Sequence, residues 1–173
     1  MEIRTAGTKD LERIISLGIE FKHLMLYQKD PAILGQYLPR ILVAEENSYA
    51  EDSGRKEKEV VGYYHYIVSG DPGFEEMLRC YRQFPERIIQ RAVALETLCV
   101  CMQGASHREV FREFILYLQK KFSRVWCYCS VKSARPETYT DLGFVFEEED
   151  EHTFFNVSKG GISTYRLGTW EGR

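Results

Sequence analysis

A short stretch between a predicted strand and a predicted helix has the composition of an anion-binding site. Two small residues and their polar and basic neighbours follow one another in the order Gln103, Gly104, Ala105, Ser106, His107 and Arg108. The small residues let a ligand approach the backbone, and the last two side chains add positive character. The backbone amides and the dipole at a helix N-terminus attract phosphate groups. The stretch therefore suits a phosphate site at the start of a helix predicted over 107–122.

Helix capping is the alternative for the same stretch. Ser106 and Glu109 have the spacing of a capping box, in which two side chains satisfy backbone amides at the first turn of a helix. The carboxylate of Glu109 would also repel a phosphate. The residue types alone leave phosphate binding and capping open.

Hydrophobic periodicity predicts the strands and helices that would position this stretch. Strands are predicted over 2–5, 41–46, 60–69, 92–102, 124–131, 144–148, 152–157 and 163–167. Helices are predicted from a cap at Thr8 or Asp10 to about residue 27, and over 31–37, 74–84, 107–122 and 134–142. Two polar or acidic segments, 47–59 and 147–151, predict solvated hairpin loops.

This order of elements predicts an α/β fold with one mixed sheet, antiparallel at first and parallel in the middle. The strand at 92–102, its helix and the next strand would form a right-handed parallel crossover. We expect a single domain over 1–157 that carries an insert at 70–91. The tail at 158–173 can add a strand and dock on its own core, or on a second subunit in a homodimer.

Charge and composition limit the partners and the compartment. The chain of 173 residues has 23 basic and 26 acidic residues, for a net charge of −3. Nucleic-acid binders usually carry a basic excess, so we expect no nucleic-acid partner. We also expect no membrane contact, because no apolar run is long enough to span a bilayer and the first residues form no secretory signal. Five cysteines, an odd number, favour a reduced, cytoplasmic setting.

Four of the cysteines form two C-x-C pairs on neighbouring predicted strands, namely Cys99, Cys101, Cys127 and Cys129. Strand alternation puts both members of a pair on one face, so four sulfurs that share a face would suit zinc. Structural zinc sites, however, usually use C-x2-C knuckles in loops, and cysteine is often buried as a small apolar residue. We expect buried thiols and no metal.

The order of elements and four short motifs resemble the GNAT superfamily (GCN5-related N-acetyltransferases) from about residue 3 to residue 157. The motifs read IRTA and TKDL within 3–11, ILVAE and VVGY within 41–63, ETLCV at 96–100 and YTDLGF at 139–144. The last motif is the most specific, and the others gain weight from their order and spacing. The resemblance implies a GNAT-like acyl-CoA N-acyltransferase fold, a central mixed sheet flanked by helices.

The resemblance also implies a co-substrate, acetyl-CoA, whose acyl group would pass to an amine. The pantetheine would lie in a splay between 96–101 and 125–130. Backbone groups at Leu98, Cys99 and Val100 would pair with it like an extra strand. The pyrophosphate would lie at 104–108.

Two catalytic roles follow from the resemblance. Glu96 would take a proton from the attacking amine, and Tyr139 would give one to the departing thiolate, since a phenol stays protonated at neutral pH. The structural alternatives are an ion-paired carboxylate for Glu96 and a packing aromatic for Tyr139. His65 is a rival base, because imidazole titrates near neutrality.

The proposed phosphate stretch departs from the family's loop, which normally reads (Arg/Gln)-x-x-Gly-x-(Gly/Ala). With Gln103 at the first position, Ser106 replaces the first glycine and Arg108 replaces the final small residue. Arg108 would either hinder close backbone approach or bind phosphate by its charge. This departure keeps a second function open, a GNAT-like fold without catalysis that serves as a binding or regulatory module.

The acceptor would be an amine of a small molecule or of a protein. The insert at 70–91 interleaves arginines with aromatic residues, which suits an acidic or aromatic acceptor or a protein partner, and equally an amphipathic surface helix. The acidic run at 147–151 would either draw in a cationic amine or form a solvated tip.

Overall fold

The computed structural model describes residues 1–20, 31–49, 56–68, 71, 94–101, 107–130, 135–156 and 161–172. The strands are β1 (Glu2–Thr5), β2 (Ile41–Tyr49), β3 (Lys56–Val68), β4 (Ala94–Cys101), β5 (Arg124–Ser130), β6 (Val145–Asn156) and β7 (Gly161–Glu171). The α-helices are α1 (Leu11–Glu20), α2 (Pro31–Tyr37), α3 (His107–Lys121) and α4 (Arg135–Asp141). The helix predicted over 74–84, the end of the first predicted helix at 21–27 and the residues at 102–106 lie outside the described residues.

The strands follow the order β1-β2-β3-β4-β5-β7-β6 in a seven-stranded sheet. β1, β2 and β3 are antiparallel, whereas β4 and β5 run parallel, with Ala94 opposite Val125 and Leu95 opposite Trp126. β7 lies antiparallel between β5 and β6. The predicted mixed α/β sheet, antiparallel at first and parallel in the middle, is confirmed. β7 is longer than the strand predicted over 163–167.

The chain divides into two compact units, which are described separately. Unit 1 comprises Met1–Tyr66 and Thr97–Phe114, and unit 2 comprises Ile67–Glu96 and Ile115–Arg173. The strand β4 contributes residues to both of them.

The core of unit 1 forms where α1 and α2 cover one face of β2 and β3. Its buried residues are Ala6, Ile14, Leu17, Leu34, Leu38, Ile41, Val43, Val60 and Tyr63. Alternation along a strand sends neighbouring side chains to opposite faces, and Tyr64 accordingly stacks on Phe114 of α3 with ring centroids 5.5 Å apart. Tyr63 and Tyr64 are both fully buried on opposite faces of β3, and this burial fixes the register of the strand.

The polar segment at 47–59 is only partly a loop, so the predicted hairpin loop is too long. Asn47, Ser48 and Tyr49 pair with Lys58, Glu57 and Lys56 in the β2–β3 ladder. The hydrogen bonds of an antiparallel ladder join backbone groups, and exposed positions such as Glu57 and Lys58 accept charged side chains. A change of register between Ala44 and Glu45 leaves Val61 as the extra residue of a bulge.

The second predicted hairpin is wrong, because the acidic run at 147–151 lies within one strand. β6 runs without a turn from Val145 to Asn156 and pairs with β7, with an irregularity between Phe146 and Glu151. β6 ends the strand order, and charged residues are common on edge strands because they oppose pairing with another chain. The position of the acidic run in an edge strand therefore explains why it has a charged composition like that of a loop.

Candidate functional site

The described residues that were predicted to bind the co-substrate belong to unit 1, whereas both predicted catalytic residues belong to unit 2. Leu98, Cys99 and Val100 lie in the second half of β4, and His107 and Arg108 are the first two residues of α3. Gln103, Gly104, Ala105 and Ser106 lie outside the described residues. Glu96 lies in the first half of β4, and Tyr139 lies on α4.

Helix α3 begins at His107, as the sequence predicts, and its apolar stripe fixes its orientation. The buried positions recur at the helical period, at Val110, Phe111, Phe114, Ile115 and Leu118. Arg108 and Glu109 are exposed in the first turn. The first turn therefore presents one basic and one acidic side chain to water beside the backbone amides of the helix N-terminus.

Tyr139 is fully buried in an aromatic cluster of unit 2. Its ring meets Phe144 edge-on with centroids 5.1 Å apart, and Phe146 with centroids 6.1 Å apart. Edge-to-face geometry at these distances is favourable, because the positive edge of one ring faces the negative face of the other. The packing role considered for Tyr139 is therefore present in the structure.

The backbone at Tyr139 is fixed by the C-terminal cap of α4. Gly143 has a φ of +83°, its amide donates to the carbonyl of Thr140 (2.9 Å), and the amide of Phe144 donates to the carbonyl of Tyr139 (3.0 Å). These two bonds, with the contact of Tyr139 and Phe144, define a Schellman motif. The YTDLGF motif thus encodes a helix end.

A glycine in β7 completes the cluster around Tyr139. Gly168 lies opposite Cys127 of β5 and opposite Phe146 of β6. A Cβ atom at this position would lie 2.6 Å from two atoms of the Phe146 ring and 2.9 Å from the sulfur of Cys127. Neither Phe146 nor Gly168 is among the sites predicted from the sequence, and the available signal was a glycine within a strand, which often marks close approach of another group.

A buried ion network fastens the start of the chain. The Arg4 guanidinium donates to both carboxylate oxygens of Asp10 (2.7 and 2.8 Å) and to the carboxylate of Glu45. The carboxylates of Asp10 and Glu45 are only 4% and 7% exposed, and the Arg4 side chain is 23% exposed. The network joins β1, β2 and the 3-10 turn Thr8–Asp10 that precedes α1.

The ion network shifts the pKa values of its members. Burial by itself would raise the pKa of the Asp10 carboxyl, but hydrogen bonds from Arg4 and from the Gly7 amide (2.8 Å) outweigh it, so this pKa is lowered. The hydrogen bond from Arg4 lowers the pKa of Glu45, and the two carboxylates raise the pKa of Arg4. The predicted cap at Thr8 or Asp10 is wrong, because Gly7 holds the cap position and Asp10 reaches back to its amide.

Two other candidates from the sequence are buried. His65 is 1% exposed on β3, where the ring of Tyr37 meets it edge-on at 5.4 Å. Cys127 is buried and forms no disulfide. Among the residues that the structure describes, no three His, Cys, Asp or Glu side chains are grouped as a metal site would need. No helix within the described ranges is long and apolar enough to cross a membrane.

Comparison with known proteins identifies the fold. No protein-family model and no curated protein matches the sequence. Solved structures do match, among them a GNAT-family acetyltransferase from Bacillus cereus, with 10% identity, a TM-score of 0.60 and coverage of 99% of this chain and 97% of that one. Arabidopsis thaliana NAA60 in complex with a bisubstrate analogue matches with 11% identity, a TM-score of 0.68 and coverage of 99% and 98%.

A third match is yncA, a putative acetyltransferase from Salmonella typhimurium with its cofactor acetyl-CoA. It has 14% identity, a TM-score of 0.61 and coverage of 99% of this chain and 93% of that one. Each alignment spans nearly the whole of both chains. The fold of this chain is therefore that of the GNAT acetyltransferases, as the sequence predicts.

Proposed function

We propose that the chain transfers an acetyl group from acetyl-CoA to an amine. The observation that carries this proposal is the fold, shared over 99% of the chain with acetyltransferases that include a complex with acetyl-CoA. A fold alone supports many functions, so the proposal also needs a site on this chain that suits the ligand.

The start of α3 suits the pyrophosphate of the co-substrate. The helix follows β4, the backbone amides of its first turn point out of its N-terminus, and the exposed guanidinium of Arg108 adds a charge that hydrogen-bonds well to phosphate. The exposed carboxylate of Glu109 opposes this charge in part. On this proposal, backbone groups at Leu98, Cys99 and Val100 pair with the pantetheine amides.

When bound, acetyl-CoA supplies an activated thioester. Glu96 takes one proton from the ammonium form of the acceptor, which leaves a nucleophilic amine. The amine nitrogen forms a bond to the acetyl carbon, and the carbon–sulfur bond breaks. Tyr139 gives its phenolic proton to the departing thiolate, and the second proton that the nitrogen loses as the amide forms restores the phenol. Burial of Tyr139 among aromatic rings supports this role because it restricts the phenol to few orientations.

Two observations favour a second function, a binding module that has lost catalysis. Ser106 and Arg108 replace the small residues of the family's loop, and a bulky side chain hinders close backbone approach to a pyrophosphate. Tyr139 is also fully occupied in packing within unit 2, which is a sufficient reason for an aromatic residue at that position.

A thiol-release assay separates the two functions. Purified chain is incubated with acetyl-CoA and a panel of peptides with free N-termini, lysine side chains and small amines, and free CoA is followed over time. We expect acceptor-dependent release that Glu96→Gln and Tyr139→Phe each slow by roughly a hundredfold, the lower range for loss of a general acid or base.

The matched controls are Glu57→Gln and Tyr117→Phe, which remove the same groups at an exposed and a half-buried position. Both should leave the rate unchanged. Binding of acetyl-CoA without release for any amine would favour the binding module. Unchanged rates in Glu96→Gln and Tyr139→Phe would remove the two catalytic assignments.

A further inference from the structure

Because Gly168 has no side chain, there is a space beside its backbone that no other residue type would leave. Three strands of unit 2 meet there, with Cys127 of β5 and Phe146 of β6 opposite Gly168 on β7. The ring of Phe146 fills the space so closely that a Cβ atom would lie 2.6 Å from its Cε1 and Cζ atoms. Atoms in real proteins do not remain this close, so a larger residue must displace the ring.

The ring of Phe146 links this space to Tyr139. Its centroid lies 6.1 Å from that of Tyr139, with an angle of 67° between the planes. The side chain of Phe146 is half-buried, so it can swing toward solvent, whereas Tyr139 is fully enclosed and its backbone is fixed by the cap at Gly143. A displaced Phe146 would therefore leave a gap beside the Tyr139 ring and widen the range of its orientations.

We infer that Gly168 and Phe146 are positioning residues that hold the phenol of Tyr139 for proton transfer. Neither touches the reacting atoms on this account, and both act through the ring of Tyr139. The inference rests on the proposed function, because it assigns a role within the same reaction. This role accounts for the presence of a glycine at the position of β7 that lies opposite the ring of Phe146.

The test is a mutational cycle in the thiol-release assay. Gly168→Ala should lower kcat on the order of tenfold and leave the KM for acetyl-CoA unchanged, since ångström-scale misplacement of a catalytic group has effects of this size or larger. Phe146→Leu should do the same without any steric clash, which keeps the test valid if Gly168→Ala folds poorly. Gly35→Ala is the matched control, because a Cβ atom there meets nothing within 4 Å.

The decisive readout is the same pair of substitutions in a Tyr139→Phe background. With the phenol absent, Gly168→Ala and Phe146→Leu should change kcat by less than about twofold, since the effects of substitutions that act through the same group do not add. Equal losses with and without the Tyr139 hydroxyl would overturn the inference and indicate a structural role. An active wild type whose kcat is unaffected by either substitution would also overturn it. A wild type without turnover would instead refute the proposed function, and this role with it.

Discussion

Removal of Arg4 should destabilise the chain strongly at neutral pH and weakly at acidic pH. The substitution Arg4→Met keeps the aliphatic bulk but leaves Asp10 and Glu45 without their cation. Both carboxylates are less than a tenth exposed, so each would be a buried charge with no opposite charge bound to it. The three hydrogen bonds from the guanidinium to these carboxylates would be lost at the same time.

The magnitude follows from the burial of the network. Loss of one partner from a fully buried ion pair typically costs about 3–5 kcal/mol. The Arg4 side chain is 23% exposed, which lets water screen the remaining charges, so we expect about 2–3 kcal/mol at pH 7. For a chain of this size, that loss corresponds to a fall in Tm of roughly 5–10 °C.

The pH dependence has a definite sign. The pKa values of Asp10 and Glu45 are lowered in the folded chain, so the network stabilises the fold above the ordinary carboxyl pKa of about 4. This stability is lost as the pH falls through the folded-state pKa values. In Arg4→Met the two carboxylates, which have lost their cation, are instead more readily protonated. The difference in free energy of unfolding between wild type and variant should therefore shrink as the pH falls below about 4.

Urea unfolding of both proteins at pH 7 and pH 3.5, followed by circular dichroism, measures this difference. Lys58→Met is the control, since it removes the exposed ion pair with Glu2 on the same sheet and should leave the midpoint unchanged. A loss below about 1 kcal/mol at pH 7 would contradict the account. An equal loss at both pH values would show that the effect is lost packing rather than charge.

Two further predictions concern the cap of α4 and the phosphate site. Gly143→Ala should lower the free energy of unfolding in urea by about 1–2 kcal/mol, because φ is +83° there. The control Gly35→Ala in α2 should leave it unchanged or raise it by up to about 1 kcal/mol, and equal effects of the two substitutions would refute the backbone argument. Arg108→Ala should weaken acetyl-CoA binding, measured by calorimetry, roughly fivefold at low salt and less at high salt. Arg112→Ala, one turn along the helix, should leave the affinity unchanged. Equal effects of the two substitutions would remove Arg108 from the site.

Local signals in the sequence predicted most of the elements. Helix α3 was predictable because its apolar residues repeat every three or four positions. The end of α4 was predictable because only glycine adopts the conformation of Gly143 without strain. The parallel pair β4 and β5 was predictable because a helix joins two apolar runs.

Features that depend on long-range pairing were not predictable from one sequence. The acidic run in β6 has the composition of a turn, and only its pairing with β7 makes it a strand. Glu45 lies 41 residues from Arg4 in sequence, so the network of Arg4, Asp10 and Glu45 depends on the register of β1 and β2. The space at Gly168 depends on which side chains of β5 and β6 lie opposite it, and composition carries no such information.

Thermal unfolding with and without acetyl-CoA tests the proposed function most directly, because it needs no knowledge of the acceptor. A ligand at a hundred times its dissociation constant stabilises the folded state by about 2.7 kcal/mol, which corresponds to a rise in Tm of roughly 5–10 °C for a chain of this length. We expect this rise with acetyl-CoA and a smaller one with acetyl-pantetheine, which lacks the pyrophosphate. No rise with acetyl-CoA or any other acyl-CoA up to millimolar concentration would contradict the account.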